Sequence, residues 1–159
     1  MKNACEKSVP ELSVITIDGP SGVGKSSVSR EVAAALGYSY LDTGAMYRAV
    51  AVFAHDAGIA DSDSQAIAAA LTDFELTLAP GEDGVTRVLV NGLDVTDRLR
   101  SPEISMASSR VSALPPVREK LGRMQRKIGE AGRVVAEGRD MGTVVFPDAA
   151  HKFFLDAQT

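Results

Sequence analysis

Residues Gly19 to Ser26 have the types and the spacing that phosphate binding requires. They read G-x-x-x-x-G-K-S, and glycines in such a loop let consecutive backbone N–H groups converge on phosphate oxygens. Lys25 adds a full positive charge, and the Ser26 hydroxyl is suited to bind Mg²⁺. We therefore predict that this loop binds a nucleoside triphosphate or a compound built like one. The predicted set of binding residues is Gly19, Pro20, Ser21, Gly22, Val23, Gly24, Lys25, Ser26 and Ser27.

The loop lies between two predicted elements that would present it to a ligand. Residues 13–17 form an apolar, β-branched run that is typical of a buried strand. Residues 26–36 have helical periodicity, and Gly37 is a suitable helix stop. A strand, a glycine loop and a helix in this order turn a short pattern into a predicted site. The inward face of the helix is predicted to consist of Val28, Val32, Ala35 and Leu36.

Two other segments carry residues suited to phosphate chemistry. Residues 41–48 end a short predicted strand and open a second helix, whose N-terminus would form another anion site with Arg48. A third buried strand leads to Glu137, a candidate to hold Mg²⁺ or to orient the acceptor, and to Arg139, which could neutralise transferring phosphates. Taken alone, Arg48 also fits a surface arginine, and Arg139 fits a structural pair with Asp140. Their predicted convergence at one sheet edge favours the functional interpretation.

The remaining periodicity indicates an α/β fold with an antiparallel insertion. A third helix is predicted to begin near Ser62, which would form a capping box with Gln65. Residues 73–97 alternate between apolar and polar side chains and contain Asn91-Gly92, a strong hairpin signal. Residues 152–155 are predicted as one more buried strand of the parallel sheet.

Composition narrows the classes of function. The 159 residues fit one domain, and the formal net charge of −4 is opposite to what nucleic-acid binding requires. One cysteine excludes an intramolecular disulfide, and one cysteine with two histidines gives no basis for a structural zinc site. The sequence has neither a secretory signal nor an apolar run of membrane-spanning length. We therefore expect a cytoplasmic protein that binds neither nucleic acid nor membrane.

These residues resemble the bacterial cytidylate kinases over about residues 11–157. The matching strings run from Ile17 to Ser26, from Leu41 to Arg48, from Leu114 to Arg118, and from Glu137 to Ala149. The last of these is highly specific, whereas the phosphate loop alone is not. The antiparallel insertion matches the enlarged monophosphate-binding region of that family.

The resemblance implies ATP-dependent phosphorylation of CMP and dCMP to the diphosphates by in-line transfer, carried out by a monomer. ATP would be the phosphoryl donor and would bring Mg²⁺, held by Ser26, with Glu137 as a second candidate ligand. The implied catalytic residues are Lys25, Arg48 and Arg139.

The resemblance also implies a set of substrate-binding residues. Arg48 and Arg139 would hold the CMP phosphate, near Thr43. Ser109, Arg118 and Asp140 would read the cytosine, because arginine can donate to O2 or N3 and a carboxylate can accept from the exocyclic amine that uracil lacks. The complete implied set is Thr43, Arg48, Ser109, Arg118, Glu137, Arg139 and Asp140.

The family continues beyond the Phe-Leu-Asp-Ala strand, so the resemblance implies a C-terminally truncated chain without the last core strand and the lid. We expect residues 1–12 to be an N-terminal lead and residues 13–159 an incomplete P-loop nucleoside monophosphate kinase core. Within it, residues 58–132 would form the CMP-binding region, with the antiparallel insert at 73–97.

Two other functions stay open at this point. The resemblance implies that the missing lid carries arginines that clamp the triphosphate. The chain would be a nucleotide-binding fragment without turnover if those arginines are indispensable. It would be a P-loop kinase for another small metabolite, such as shikimate, if the residues expected to read the cytosine have structural roles instead. The antiparallel insert and the Glu137-to-Ala149 string weigh against the second alternative.

Overall fold

The computed structural model describes residues 13–157, which divide into two units. The first unit contains the described residues up to Asp42 and those from Gln125 onward, and the second is Thr43–Met124. The predicted N-terminal lead lies outside the described residues. The helices are α1 Lys25–Leu36, α2 Thr43–Asp56, α3 Ser64–Ala70, α4 Pro102–Val111 and α5 Pro115–Glu130. The strands are β1 Val14–Asp18, β2 Ser39–Asp42, β3 Leu76–Pro80, β4 Thr86–Val90, β5 Leu93–Asp94, β6 Val134–Gly138 and β7 His151–Phe154.

The first unit is built on a parallel sheet with strand order β2-β6-β1-β7. Its central strands, β1 and β6, are apolar runs that contain β-branched residues. Ile15 and Ile17 of β1 pack with Val135 of β6 and with Ala33 of α1. The α/β architecture with a parallel sheet and a small antiparallel insert is therefore confirmed.

The inward face of α1 differs from the prediction. Val28 is 39% exposed and Leu36 is 50% exposed, while Lys25, Ser29 and Ala33 are buried. The buried positions are spaced by four residues, and the two small side chains among them, Ser29 and Ala33, let the helix approach the sheet closely. Of the four predicted inward residues, Val32 packs against the core, whereas Val28, Ala35 and Leu36 are exposed, so the face predicted from hydrophobicity was largely wrong. The predicted stop is correct, since Gly37 has left-handed backbone angles after the last turn.

Strand β7 forms where it was predicted, next to β1, but its aromatic side chains are not buried. Phe153 is 56% exposed and Phe154 is 69% exposed. The apolar run correctly indicated a strand because β-branched and aromatic residues favour extended backbone. It gave no information about which faces of that strand would be covered.

The second unit contains the predicted antiparallel insert, with strand order β3-β4-β5. The turn between β4 and β5 is Asn91-Gly92, and both residues have positive φ angles, 48° and 81°. This is the conformation for which Asn-Gly is favoured in two-residue hairpins. Helix α2 packs against α4 and against β4, and Phe53 meets Phe74 edge to face with ring centroids 5.2 Å apart.

The start of α3 lies one residue later than the predicted capping box. Asp63, not Ser62, is the N-cap, and its carboxylate accepts a hydrogen bond of 3.0 Å from the Ala66 N–H. Aspartate and serine are about equally good N-caps, so two adjacent candidates cannot be separated by propensity. Ile67 of this helix is buried, as is Leu71 directly after its last residue.

Within residues 13–157, no helix is long and apolar enough to cross a bilayer.

Candidate active site

The site of the first unit lies at the carboxyl edge of its parallel sheet. In the strand register, Asp18 of β1 is opposite Gly138 of β6, and Glu137 of β6 is opposite Asp42 of β2. The phosphate loop, which follows β1, therefore leaves the sheet beside Glu137. Ligands of open α/β sheets bind at this edge because the loops there diverge from neighbouring strands.

The phosphate loop has the backbone that its glycines predict. Gly24 is the N-cap of α1 with φ of 91°, and it has no side chain to occupy the first N–H groups of the helix. Gly19 has φ of 153°, and a Cβ there would collide with the carbonyl oxygen of Leu155. The buried Lys25 side chain returns across the loop, and its Nζ donates to the Pro20 carbonyl at 2.6 Å. The ammonium is thereby held at the loop.

A hydrogen-bonded group joins the loop to β6 and β2. The Ser26 hydroxyl donates to Glu137 Oε1 at 2.9 Å, and the Tyr40 hydroxyl donates to Glu137 Oε2. Glu137 is only 7% exposed. Burial, together with the negative charge of Asp42 and the bond to Glu137, raises the pKa of Tyr40 well above its ordinary value, so Tyr40 keeps its proton and acts as a donor.

Arg139 also reaches the phosphate loop. Its guanidinium donates to the Ser21 hydroxyl, which joins the segment after β6 to the middle of the loop. Asp140 follows and caps a π-helical turn, Met141–Val145, in which the Val145 N–H donates to the Asp140 carbonyl at 3.2 Å. The structure therefore brings Lys25, Ser26, Glu137 and Arg139 together around one loop.

Asp18 fixes the start of that π-helical turn. Its buried carboxylate accepts hydrogen bonds from the backbone N–H groups of Met141 and Gly142, at 2.9 and 2.8 Å. The last residue of β1 thus caps the turn that begins directly after Arg139 and Asp140. Asp18 was not among the predicted site residues, although a carboxylate at the end of an otherwise apolar strand is a signal for such a role.

The other predicted substrate residues belong to the second unit. Thr43 is the buried first residue of α2, and Arg48 lies within the same helix. The Nε atom of Arg48 is buried and has no hydrogen-bond partner among the described residues. A buried guanidinium N–H without a partner is costly, which is consistent with a ligand supplying the acceptor.

Ser109 and Arg118 lie near one another through the end of α4. The Ser112 hydroxyl donates to the Ser109 carbonyl at 3.0 Å, and the Arg118 guanidinium donates to the Ser112 carbonyl at 3.3 Å. Both residues are exposed. Ser112 thus links the backbone of Ser109 to the Arg118 side chain, while the Ser109 hydroxyl itself donates to the Ser105 carbonyl at 3.4 Å.

The oxygen atoms around Ser26 fit Mg²⁺. The ion prefers hard oxygen ligands and usually takes one or two protein groups, with phosphate oxygens and water completing the octahedron. The hydroxyl of Ser26 and the carboxylate of Glu137, 2.9 Å apart, form such a set. In the described part of the chain there is no group of three or more His, Cys, Asp or Glu side chains that could hold a metal, so a site here would depend on the nucleotide.

Comparison with known protein families identifies the family of this chain. A sequence model of the family described as cytidylate kinase matches residues 15–159. The chain belongs to the cytidylate kinase family. The match includes the phosphate loop, the antiparallel insert and the segment from Glu137 to Ala149, and it disfavours a kinase of an unrelated small metabolite.

Individual family members are similar over most of this chain. A cytidylate kinase of Syntrophotalea carbinolica is 55% identical over 144 residues, which are 91% of this chain and 61% of that protein. One of Symbiobacterium thermophilum is 51% identical over 146 residues, 91% of this chain and 64% of that protein. A bifunctional pantoate ligase/cytidylate kinase of a Synechococcus strain is 50% identical, and 29% of its length is covered. The chain thus spans about three fifths of the length of the cytidylate kinases it matches.

Proposed function

We propose that this chain carries the nucleotide-binding and transfer groups of an ATP-dependent kinase of CMP and dCMP. The observation that carries the proposal is the Arg139–Ser21 bond, because it joins the family-specific segment after β6 to the phosphate loop. A guanidinium bonded to that loop lies where charge on a transferring phosphoryl group needs neutralising. We further propose a monomer located in the cytoplasm.

The proposed reaction is a direct displacement. An oxygen of the CMP phosphate attacks the γ-phosphorus of ATP, a new P–O bond forms, and the bond to the ADP oxygen breaks. Lys25 follows the migrating phosphoryl group, and Arg139 reduces the repulsion between the two anionic substrates. No covalent intermediate on the protein is needed, since positioning and charge neutralisation supply the acceleration.

Ser26 would hold the Mg²⁺ that accompanies ATP, with Glu137 beside it, and the 2.9 Å bond between them supports this assignment. The ion when bound would neutralise charge on the donor phosphates. The contribution of the chain is to fix the Ser26 hydroxyl. A hydroxyl that donates its proton to Glu137 keeps its oxygen lone pairs for a cation.

Selectivity for cytosine would come from Ser109, Arg118 and Asp140. A carboxylate accepts from the exocyclic amine of cytosine, and uracil, which has a carbonyl there, would leave it facing another acceptor. Arg48 would bind the CMP phosphate, and its buried, unpartnered Nε supports a role in anion binding. Thr43 would contribute its hydroxyl near the same phosphate.

The test is ATP-dependent phosphorylation of CMP, dCMP, UMP and AMP by the 159-residue chain, beside a fluorescence titration with CMP. Turnover confined to CMP and dCMP is the expected result. Binding of CMP without turnover would support the site residues and the alternative of a nucleotide-binding fragment. Absence of both CMP binding and turnover would contradict the proposal.

The Asp140→Ala variant tests the selectivity for cytosine. We expect the ratio of kcat/KM for CMP to that for UMP to fall by about tenfold or more, because the unfavourable contact with uracil is removed. Asp148→Ala is the matched control, since it removes an exposed carboxylate of the same segment. An unchanged ratio in Asp140→Ala would show that this carboxylate does not read the base.

A further inference from the structure

Tyr40 is the one member of the Ser26–Glu137–Tyr40 group that the reaction itself does not require. It lies in β2, is half-buried, and donates its hydroxyl proton to Glu137 Oε2. Ser26 donates to the other oxygen of the same carboxylate at 2.9 Å. Both oxygens of Glu137 therefore receive a donor, one from the phosphate loop and one from the neighbouring strand.

The bond from Tyr40 helps to fix the orientation of the Glu137 carboxylate. A buried carboxylate that loses one of its donors is held less firmly in its orientation and can rotate toward another donor. Rotation of Glu137 would break its hydrogen bond with Ser26. The Ser26 hydroxyl could then rotate so that its proton, and not its oxygen lone pairs, faces a bound cation. The bond from Tyr40 opposes that rotation.

The aromatic ring of Tyr40 is itself held in place. The Arg30 guanidinium of α1 lies over the ring, 5.4 Å from its centroid, at a distance typical of a cation–π contact. The ring also packs beside the apolar cluster of Ile15, Ile17 and Val135. These contacts fix the hydroxyl without using it, so removal of the oxygen alone should leave the ring in position.

We propose that Tyr40 is a positioning residue for the metal of the Mg²⁺–nucleotide complex, acting through Glu137 on the Ser26 hydroxyl. The inference rests on the proposed function, since it needs a divalent cation bound with a nucleotide at this loop. It assigns Tyr40 no contact with the cation, the nucleotide or the transferred phosphoryl group. Outer hydrogen bonds of this type commonly change metal affinity by about tenfold when they are removed.

The experiment measures cation binding directly. Mn²⁺ is titrated into the chain with a saturating non-hydrolysable ATP analogue, adenylyl-imidodiphosphate, and free Mn²⁺ is followed by electron paramagnetic resonance. We expect Tyr40→Phe to weaken Mn²⁺ binding by about tenfold, with the affinity for the metal-free analogue and the melting temperature unchanged. Tyr38→Phe is the matched control, because the Tyr38 hydroxyl pairs with Ser13 at 2.8 Å, away from Glu137.

A double-mutant cycle identifies the route of the effect. If Tyr40 acts through Glu137, then Tyr40→Phe should have no further effect on Mn²⁺ affinity in a Glu137→Ala background. Equal Mn²⁺ affinities of the wild type and Tyr40→Phe would overturn the inference, as would a tenfold loss that persists without Glu137. If the wild type binds neither the analogue nor Mn²⁺, the proposed function itself fails; if it binds both and only the variant comparison is flat, the proposed function survives.

Discussion

The two units hold their charged side chains in different ways. In the first unit, the groups proposed to bind phosphate are hydrogen-bonded to one another and to the backbone: Lys25 to Pro20, Ser26 to Glu137, and Arg139 to Ser21. In the second unit, charged groups at the surface form ion pairs, such as Arg98 with Asp56 and Arg110 with Asp61. Ser109 and Arg118, the proposed readers of the base, are also exposed.

This difference indicates where the site is preorganised. Groups that stabilise a transferring phosphoryl must already point at the charge that develops, because reorientation during the reaction costs part of the stabilisation. Groups that recognise a substrate can be completed by the substrate itself, as the buried and unpartnered Nε of Arg48 suggests. The side chains of the phosphate loop are therefore already held in place by hydrogen bonds. We expect the orientation of the side chains in the second unit to depend more on ligand binding.

The largest effect is expected for Lys25→Ala. The substitution would remove the positive charge that we propose follows the transferring phosphoryl group, so we expect kcat to fall by about 10³-fold or more and nucleotide binding to weaken as well. Steady-state kinetics with CMP and a titration with an ATP analogue measure the two quantities. If the phosphate loop is preorganised as proposed, both kcat and the affinity for the ATP analogue should fall.

Lys152→Ala is a matched control for that substitution. The Lys152 ammonium also donates to a proline carbonyl, that of Pro147, but it lies outside the phosphate loop. We expect kcat to remain within about twofold of the wild type, because this ammonium bonds to Pro147 and not to the phosphate loop. Equal losses in Lys25→Ala and Lys152→Ala would mean that the first variant damages the fold and not the site.

A smaller and more selective effect is expected for Arg48→Ala in the second unit. We expect kcat/KM for CMP to fall by about 100-fold, equivalent to about 2.7 kcal/mol, with KM for ATP changed by less than about twofold. Arg110→Ala, which breaks the exposed pair with Asp61, should leave both values near those of the wild type. A comparable rise in the KM for ATP would show that Arg48 is not specific to the acceptor.

The phosphate loop shows what local sequence can predict. Its chemistry depends on a continuous stretch in which spacing fixes geometry, so the loop, the preceding strand and the following helix could all be predicted from residues 13–37. The antiparallel insert was equally accessible, because period-two alternation and Asn91-Gly92 are local signals. Both are elements in which neighbours in sequence are also neighbours in space.

Contacts between distant residues were not accessible in this way. Tyr40 and Glu137 are 97 positions apart, with the whole second unit between them in sequence, and Asp18 bonds to Met141 and Gly142 at separations of 123 and 124 positions. Only the register of β1, β2 and β6 brings these residues together. The face of α1 failed for a related reason, since the close approach of Ser29 and Ala33 depends on the sheet and not on their hydrophobicity.

The comparison between the units extends to stability through two aspartates. Asp18 accepts two backbone N–H bonds in a buried position, whereas Asp94 accepts from the N–H and hydroxyl of Thr96 at an exposed one. We expect Asp18→Asn to lower the free energy of unfolding by about 1–3 kcal/mol, because one buried N–H loses its acceptor. Asp94→Asn should cost clearly less, since water can replace the lost bond. Urea denaturation measures both, and equal losses would remove this distinction between the units.

The smallest effect is expected at the ion pair of Arg98 and Asp56. The two hydrogen bonds from the Arg98 guanidinium, at 2.6 and 2.8 Å, are the main cause that lowers the pKa of Asp56 from 3.8 to about 2. A carboxyl whose folded pKa is depressed stabilises the fold above its unfolded pKa, and that contribution is lost as pH falls from about 4 to about 2. Solvent screening keeps it small, because both side chains are exposed.

Arg98→Ala tests this assignment by a change in titration. The pKa of Asp56, followed by NMR of its carboxyl carbon, should return toward 3.8, although the neighbouring His55 still pairs with the same carboxylate. The acid-dependent loss of stability between pH 4 and pH 2 should become shallower in the variant, because one folded-state pKa no longer differs from its unfolded value. A pKa that stays near 2 without Arg98 would mean that the depression comes from elsewhere in the second unit, and that its surface charges are more strongly coupled than exposed pairs usually are.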